Sequence, residues 1–157
     1  MTTTSSILVT GHTGFIGHAL GLALDKAEEA WQGASRAGGC DLEQPGALRD
    51  FPSANTVIHL AGQTDVLQSW EKPSALIRSN VLTTLEALEF ARRHSASFIY
   101  VSSYMYGVPQ FLPIDETHPT NTQNPYAASK YLGEVLCGKF ANDFSVPLVI
   151  VRPFNIY

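Results

Sequence analysis

The sequence has few cysteines, little charge and no long apolar run. Two cysteines, Cys40 and Cys137, stand in 157 residues. They form no CxxC pair and have no histidine at ligand spacing, so neither a disulfide framework nor a metal site is expected. Both read as reduced thiols of a cytosolic, cytoplasmic protein. Charged residues make up 15% of the chain, and 10 Lys plus Arg against 14 Asp plus Glu give a net charge of −4. No basic surplus points to nucleic acid or to an anionic membrane. No stretch approaches the ~20 apolar residues of a membrane span. The polar start, Met1 to Ser6, lacks the basic residues and apolar core of a signal peptide, and only Ile7-Leu8-Val9 follows it. There is no internal repeat and no low-complexity linker. What remains is a globular composition, 45% apolar, over 157 residues, which fits one domain, 1–157.

Short apolar runs alternate with longer helical patterns. Strands are expected at Ile7–Thr10, Trp31–Ser35, Cys40–Leu42, Thr56–Leu60, Phe98–Val101 and Leu148–Val151. Apolar residues at helical spacing predict helices over Gly14–Glu29, from Pro73 to Arg93 or His94, and over Tyr126–Asn142. Pro45 fits the first turn of a short helix ending near Phe51-Pro52. Gly107 to Pro125 carries four prolines and reads as a long loop. Alternating strands and helices, with nearly all-apolar strands, imply an α/β fold: a doubly wound parallel sheet with helices on both faces. Ligands of such sheets bind at the carboxyl ends of the strands.

The first strand runs into Thr10-Gly11-His12-Thr13-Gly14-Phe15-Ile16-Gly17, which opens the first helix. Gly11 permits the tight turn, Gly14 lets backbone amides approach a pyrophosphate, and Gly17 allows close helix–strand packing. The helix N-terminus then offers unpaired N–H groups and a partial positive charge to the anion. A ribose-binding acid is expected at the end of the second strand, and that position falls on Ser35, followed by Arg36. Ser35 removes the charge that would repel a 2′-phosphate, and Arg36 can pair with one. NADP is therefore expected over NAD.

The Gly-x-x-Gly-x-x-Gly spacing with Phe15-Ile16 resembles the extended short-chain dehydrogenase/reductase family, the NAD(P)-dependent nucleotide-sugar epimerases, dehydratases and reductases. The resemblance implies a Rossmann-type cofactor domain with Thr13, Phe15 and Ile16 in the phosphate loop. It implies that Asp41-Leu42 contacts the adenine ring. Only five residues separate Ser35 from Asp41, so the usual helix between them is missing. Leu60-Ala61-Gly62 resembles the segment beside the cofactor ribose and nicotinamide, and His59 before it is expected to face the core. In relatives, the loop from Gln63 to Pro73 borders the substrate. Asn80 matches the family's helix Asn, which holds a water and the catalytic Lys. Pro153 would lie near the nicotinamide, and Asn155 would approach the phosphates of a nucleotide sugar. Arg152 reads either as part of that stretch or as a solvent-facing strand end.

Pro125-Tyr126-Ala127-Ala128-Ser129-Lys130 carries a Tyr-x-x-x-Lys pair, and i, i+4 spacing puts both side chains on one helical face. A free Tyr is a poor proton shuttle at pH 7. A neighbouring ammonium and a bound nicotinamide's positive charge favour the phenolate. Tyr126 can then exchange the proton of a substrate oxygen while hydride moves to or from the nicotinamide, with Lys130 on the ribose. The family also places a Ser or Thr after the fifth expected strand. Counting from Phe98 selects Ser103, and counting back from Tyr106-Gly107 selects Ser102. Strand register is harder to shift than loop length, which favours Ser103.

These motifs imply an oxidoreductase or isomerase: an epimerase or carbonyl reductase acting on a nucleotide sugar. Tyr104-Met105 stand where a dehydratase carries its acid and base, which disfavours dehydration. The alternative is an NAD(P)-binding module, or an enzyme fragment without turnover, because relatives take substrate specificity from a separate C-terminal portion that is expected to be absent here. A homodimer is expected through Ser74–His94 and Tyr126–Asn142. Ending at Tyr157, the sheet is expected to leave one edge or face exposed.

Overall fold

One parallel sheet is built from β1 (Ile7–Thr10), β2 (Trp31–Ala34), β3 (Thr56–His59), β4 (Ser97–Val101) and β5 (Leu148–Val151), in the order β2-β1-β3-β4-β5. The structure is a computed structural model and describes residues 7–157; the polar start, Met1 to Ser6, lies outside the described residues. The helices are α1 (Phe15–Lys26), α2 (Val66–Glu71), α3 (Pro73–His94) and α4 (Pro125–Phe144). From β1 the chain crosses to β2 on one side, and from β3 it steps through β4 to β5 on the other. Right-handed crossovers therefore place α1 on one face and α3 and α4 on the opposite face.

The core lies under α3 and α4. Leu8, Val57 and Phe98 share one row of the sheet and are fully buried against Ala87, Phe90 and Ala91 of α3 and Cys137 and Phe140 of α4. His59 faces this core as expected. Its Nδ1 lies 2.8 Å from Thr10 Oγ1, its Nε2 lies 3.2 Å from Thr84 Oγ1, and its ring stacks on Tyr100. Burial, followed by the Lys130 charge, lowers its pKa to about 3, so the ring is neutral. The opposite face is thinly covered toward β5. Val149 and Val151 are 56% and 40% exposed, and β5 is an edge strand.

Three local readings change. Cys40–Leu42 is not a strand. A parallel crossover needs about a dozen residues, and the chain instead reverses through one 3-10 turn, Arg36–Gly38, with Gly39 at φ 84°. Leu42 then drops into the core. The stretch after Pro45 makes turns rather than a helix. Gly46 adopts φ 81°, and the Glu86 carboxylate on α3 takes the Gly46 and Leu48 amides at 2.8 and 2.9 Å. Part of the loop after Gln63 is the helix α2, capped by Asp65, whose side chain accepts from the Gln68 amide at 2.9 Å.

Candidate dinucleotide and catalytic site

The register aligns Thr10, Ala34, His59 and Tyr100, so the chain leaves β1 to β4 along one rim of the sheet. Gly11, Ser35, Leu60 and Ser102 are brought together there, with Arg152 beyond β5. Between β1 and β3 the connections turn in opposite directions, which opens a crevice. Gly11 sits in that crevice at φ 71°, and a Cβ on it would meet the Ala61 amide nitrogen at 2.7 Å. A Cβ on Gly17 would collide with the Gly11 carbonyl. No side chain caps α1 after Gly14, and no acidic residue lies in its first turn, so an anion meets bare amides.

Two cavities meet over this loop and share Gly11, Gly14, Leu60, Gly62 and Gln63. The first, about 590 Å³, is bordered by Thr13, Ser35, Arg36, Asp41, Leu42 and Ala61. The second, about 420 Å³, is bordered by Phe15, Ile16, Gly17, Ser102, Ser103, Tyr126, Lys130, Pro153 and Asn155. Two lobes pinched at a glycine-rich helix N-terminus fit two nucleosides joined by a pyrophosphate.

At the second lobe, Asn124 caps α4 by accepting from the Ala127 amide at 2.7 Å, and Pro125 starts the helix. Tyr126 and Lys130 then face the cavity one turn apart. Burial raises the Tyr126 phenol above its ordinary value, and the neighbouring Ser103 hydroxyl opposes the rise. Lys130 is buried, which lowers its ammonium to about 8, against the opposing pull of Cys137 and Glu134. Its Nζ lies 4.5 Å from the centre of the Tyr100 ring, and Tyr100 donates its hydroxyl to the Lys130 carbonyl at 3.2 Å. Asn80 engages other partners. It accepts from the Gln63 amide at 2.7 Å and donates to the Gln63 carbonyl at 3.0 Å and to Ser129 Oγ at 2.8 Å. It thereby ties the exit of β3 to α4.

Comparison with known proteins gives this arrangement a family. The model of the NAD dependent epimerase/dehydratase family matches residues 7–157. The chain belongs to that family. It is 36% identical to the GDP-6-deoxy-D-mannose reductase of Pseudomonas aeruginosa, over 97% of this chain and 52% of that protein. The structure of RMD from Pseudomonas aeruginosa complexed with NADPH superposes with a TM-score of 0.85 at 37% identity, covering 96% of this chain and 54% of that one. The UDP-glucose 4-epimerase of Thermotoga maritima, solved with UDP-glucose, gives a TM-score of 0.91 at 25% identity, covering 97% and 56%. The chain thus spans about half the length of these relatives.

In this epimerase/dehydratase-family chain the two candidate serines differ in their partners. Ser102 Oγ lies 2.6 Å from Tyr106 Oη, which donates to Glu134 Oε1 at 2.7 Å. Arg152 closes the network with two bonds to the Glu134 carboxylate, at 2.9 and 2.6 Å. Burial alone would raise Glu134, but the Arg152, Ser102 and Tyr106 hydrogen bonds outweigh it and hold the carboxyl below its usual range. Arg152 is therefore a partner of Glu134 and not a bare strand end. Ser103 stands apart from this network: its Oγ accepts from the Met105 amide at 3.2 Å, and it lines the second cavity together with Tyr126. Asn155 accepts from the Tyr104 hydroxyl at 3.1 Å, and Tyr104 stacks on Phe154. Sequence reasoning missed Glu134 and Tyr106. A signal was available: Glu134 follows Lys130 at i+4, on the face that Tyr126 had already marked as buried.

Proposed function

We propose that this chain binds a nicotinamide dinucleotide across the two lobes, NADP in preference to NAD. We further propose that it serves epimerisation or carbonyl reduction of a nucleotide sugar, with Tyr126 as acid/base. The observation that carries this reading is the pair of cavities joined at the glycine loop, one ending at Tyr126 and Lys130. Gly11, Thr13 and Gly14 would hold the pyrophosphate, together with the amides of Phe15, Ile16 and Gly17. Ser35, Arg36, Asp41, Leu42 and Ala61 would frame the adenosine side, and Leu60, Gly62 and Pro153 the nicotinamide side; Ala61, expected beside the nicotinamide, borders only the first cavity. The preference for NADP rests on Ser35 and Arg36 at the rim, and on the resemblance to RMD from Pseudomonas aeruginosa, solved with NADPH.

When bound, the nicotinamide supplies the hydride acceptor or donor. Tyr126 takes or returns the proton at the reacting oxygen, and Ser103 holds that oxygen by hydrogen bond. Lys130 binds the ribose hydroxyls and places a positive charge behind the phenol. Asn80 acts as a positioning residue through Gln63 and Ser129. Asn155, oriented by Tyr104, meets the nucleotide sugar. The alternative reading is an NAD(P)-binding module without turnover of its own; the chain spans about half the length of its relatives. Dimerisation through α3 and α4 is part of the proposal. Leu132 and Val135 are exposed on α4, and Ile77, Val81 and Leu85 are half-buried on α3. The cytosolic placement rests on the two free thiols.

Titration of the chain with NADPH and NADH, followed by nicotinamide fluorescence, tests the binding claim. NADPH should bind tighter. Equal or tighter NADH binding removes the preference, and binding of neither removes the reading. A nucleotide-sugar screen then separates enzyme from module, and light scattering at tens of micromolar distinguishes a dimer from a monomer.

A further inference from the structure

Beyond the end of β2, Arg36 and Asp41 line the first of the two cavities, and Glu43 sits against Arg36 just outside that lining. Arg36 Nη2 donates to Glu43 Oε1 at 2.5 Å and stands 3.5 Å from Asp41 Oδ1. Glu43 is anchored from behind, because Ser79 on α3 donates its hydroxyl to the same Oε1 at 2.7 Å. Asp41 Oδ1 in turn accepts the Glu43 amide at 3.2 Å. The Arg36 side chain is 64% exposed and that of Glu43 only 25%. The carboxylate is therefore the fixed partner and the guanidinium the adaptable one. One positive and two negative groups leave this cluster with a formal charge of −1.

We infer that Glu43 is a specificity-determining residue: it holds the arginine that a 2′-phosphate needs, and so limits discrimination in favour of NADP. The inference rests on the reading of this cavity as the adenosine half of a dinucleotide site. A 2′-phosphate brings close to two negative charges and must compete with Glu43 for one planar guanidinium fork. Ser79 keeps Glu43 from swinging away, so the incoming dianion also meets an unrelieved carboxylate. A 2′-hydroxyl carries no charge and meets neither obstacle. Neutralising Glu43 should therefore act on 2′-phosphorylated ligands alone. Gln retains the Oε1 acceptor for Ser79, and an exposed ion pair adds little to folding stability, so Glu43→Gln leaves the fold in place.

The test uses NADPH and NADH by fluorescence, with adenosine 2′,5′-bisphosphate and 5′-AMP as competitors that differ only in the 2′-phosphate. Glu43→Gln should tighten NADPH and the bisphosphate about fivefold at low salt, while NADH and AMP stay within about twofold. The gain should shrink as ionic strength rises, as expected for a partly exposed charge. Ser79→Ala, which loosens Glu43 without removing its charge, should move the same ratio in the same direction by less. An unchanged ratio in Glu43→Gln, or equal tightening of both ligand classes, overturns the inference while leaving the dinucleotide reading intact. A wild-type chain that binds none of the four ligands overturns that reading and this inference with it.

Discussion

Replacing Lys130 with Met should stabilise the fold at neutral pH while weakening the site. Lys130 is 8% exposed, and burial lowers its ammonium from 10.5 to about 8. At about 1.4 kcal/mol per pH unit, that fall opposes folding by roughly 3 kcal/mol at pH 7. Met fills similar space without the charge, but it gives up the cation–ring contact with Tyr100, which contributes about 1–2 kcal/mol when desolvated. The net expectation is a gain of about 1–2 kcal/mol at pH 7. The pH dependence is the sharper test. Between pH 8 and 10.5 the folded chain has already released the Lys130 proton while the unfolded chain still holds it. The unfolded state then binds more protons, so wild-type stability rises with pH through that window relative to the variant. Urea unfolding of both proteins at pH 7.0 and 9.5 measures this, and the other titrating groups cancel in the difference. The stability advantage of Lys130→Met should be largest at pH 7 and shrink at pH 9.5. An advantage that does not change with pH would refute the argument that a buried ammonium causes it. The same variant should bind NADPH more weakly, because the stabilised site has lost its charge.

Ser103→Ala should lower turnover of a nucleotide sugar by about a hundredfold, because it removes the hydroxyl beside Tyr126; steady-state kinetics showing Ser102→Ala as the worse variant would reverse the assignment. Ser102→Ala should instead cost about 1 kcal/mol of stability, read by urea unfolding, through its bond to Tyr106. Glu134→Gln leaves the Arg152 guanidinium without a counter-charge and should cost about 3 kcal/mol in the same assay. Because Glu134 is held below its ordinary 4.5, that cost should be constant above about pH 5 and fade as pH drops through the lowered folded value.

The fold was legible wherever a local pattern agreed with tertiary demand. Ile7–Thr10 is a strand because a continuous apolar run suits a sheet interior, and Leu148–Val151 keeps the same pattern at the sheet edge. Gly11-x-x-Gly14-x-x-Gly17 was legible because Gly11 and Gly17 answer close-approach needs that no other residue meets. The segment from Cys40 to Pro52 was misread because its conformation is set from outside. Glu86, some forty residues away in sequence, takes its amides, and Leu42 and Leu48 are drawn into the core. A local propensity argument has no access to either partner. Ser35 and Arg36 follow β2 as the strand pattern implied, but the surroundings of Arg36 were not legible, since Glu43, held by Ser79, meets it only after the chain reverses at Gly39.

The sequence by itself determined the alternation of strands and helices, the glycine turn at a strand exit and the i, i+4 pairing of Tyr126 with Lys130. All three follow from short-range geometry: strand and helix periodicity and the φ of a single residue. Only the tertiary structure showed that Ser102 joins a network with Tyr106, Glu134 and Arg152, drawn from three separate parts of the chain. Only the tertiary structure decided the electrostatics as well. The sequence argument had Lys130 drawing Tyr126 toward the phenolate, whereas in the folded chain burial is the leading influence on both groups and opposes their charged forms. Burial is a property of everything that packs around a residue, and no spacing along the chain encodes it.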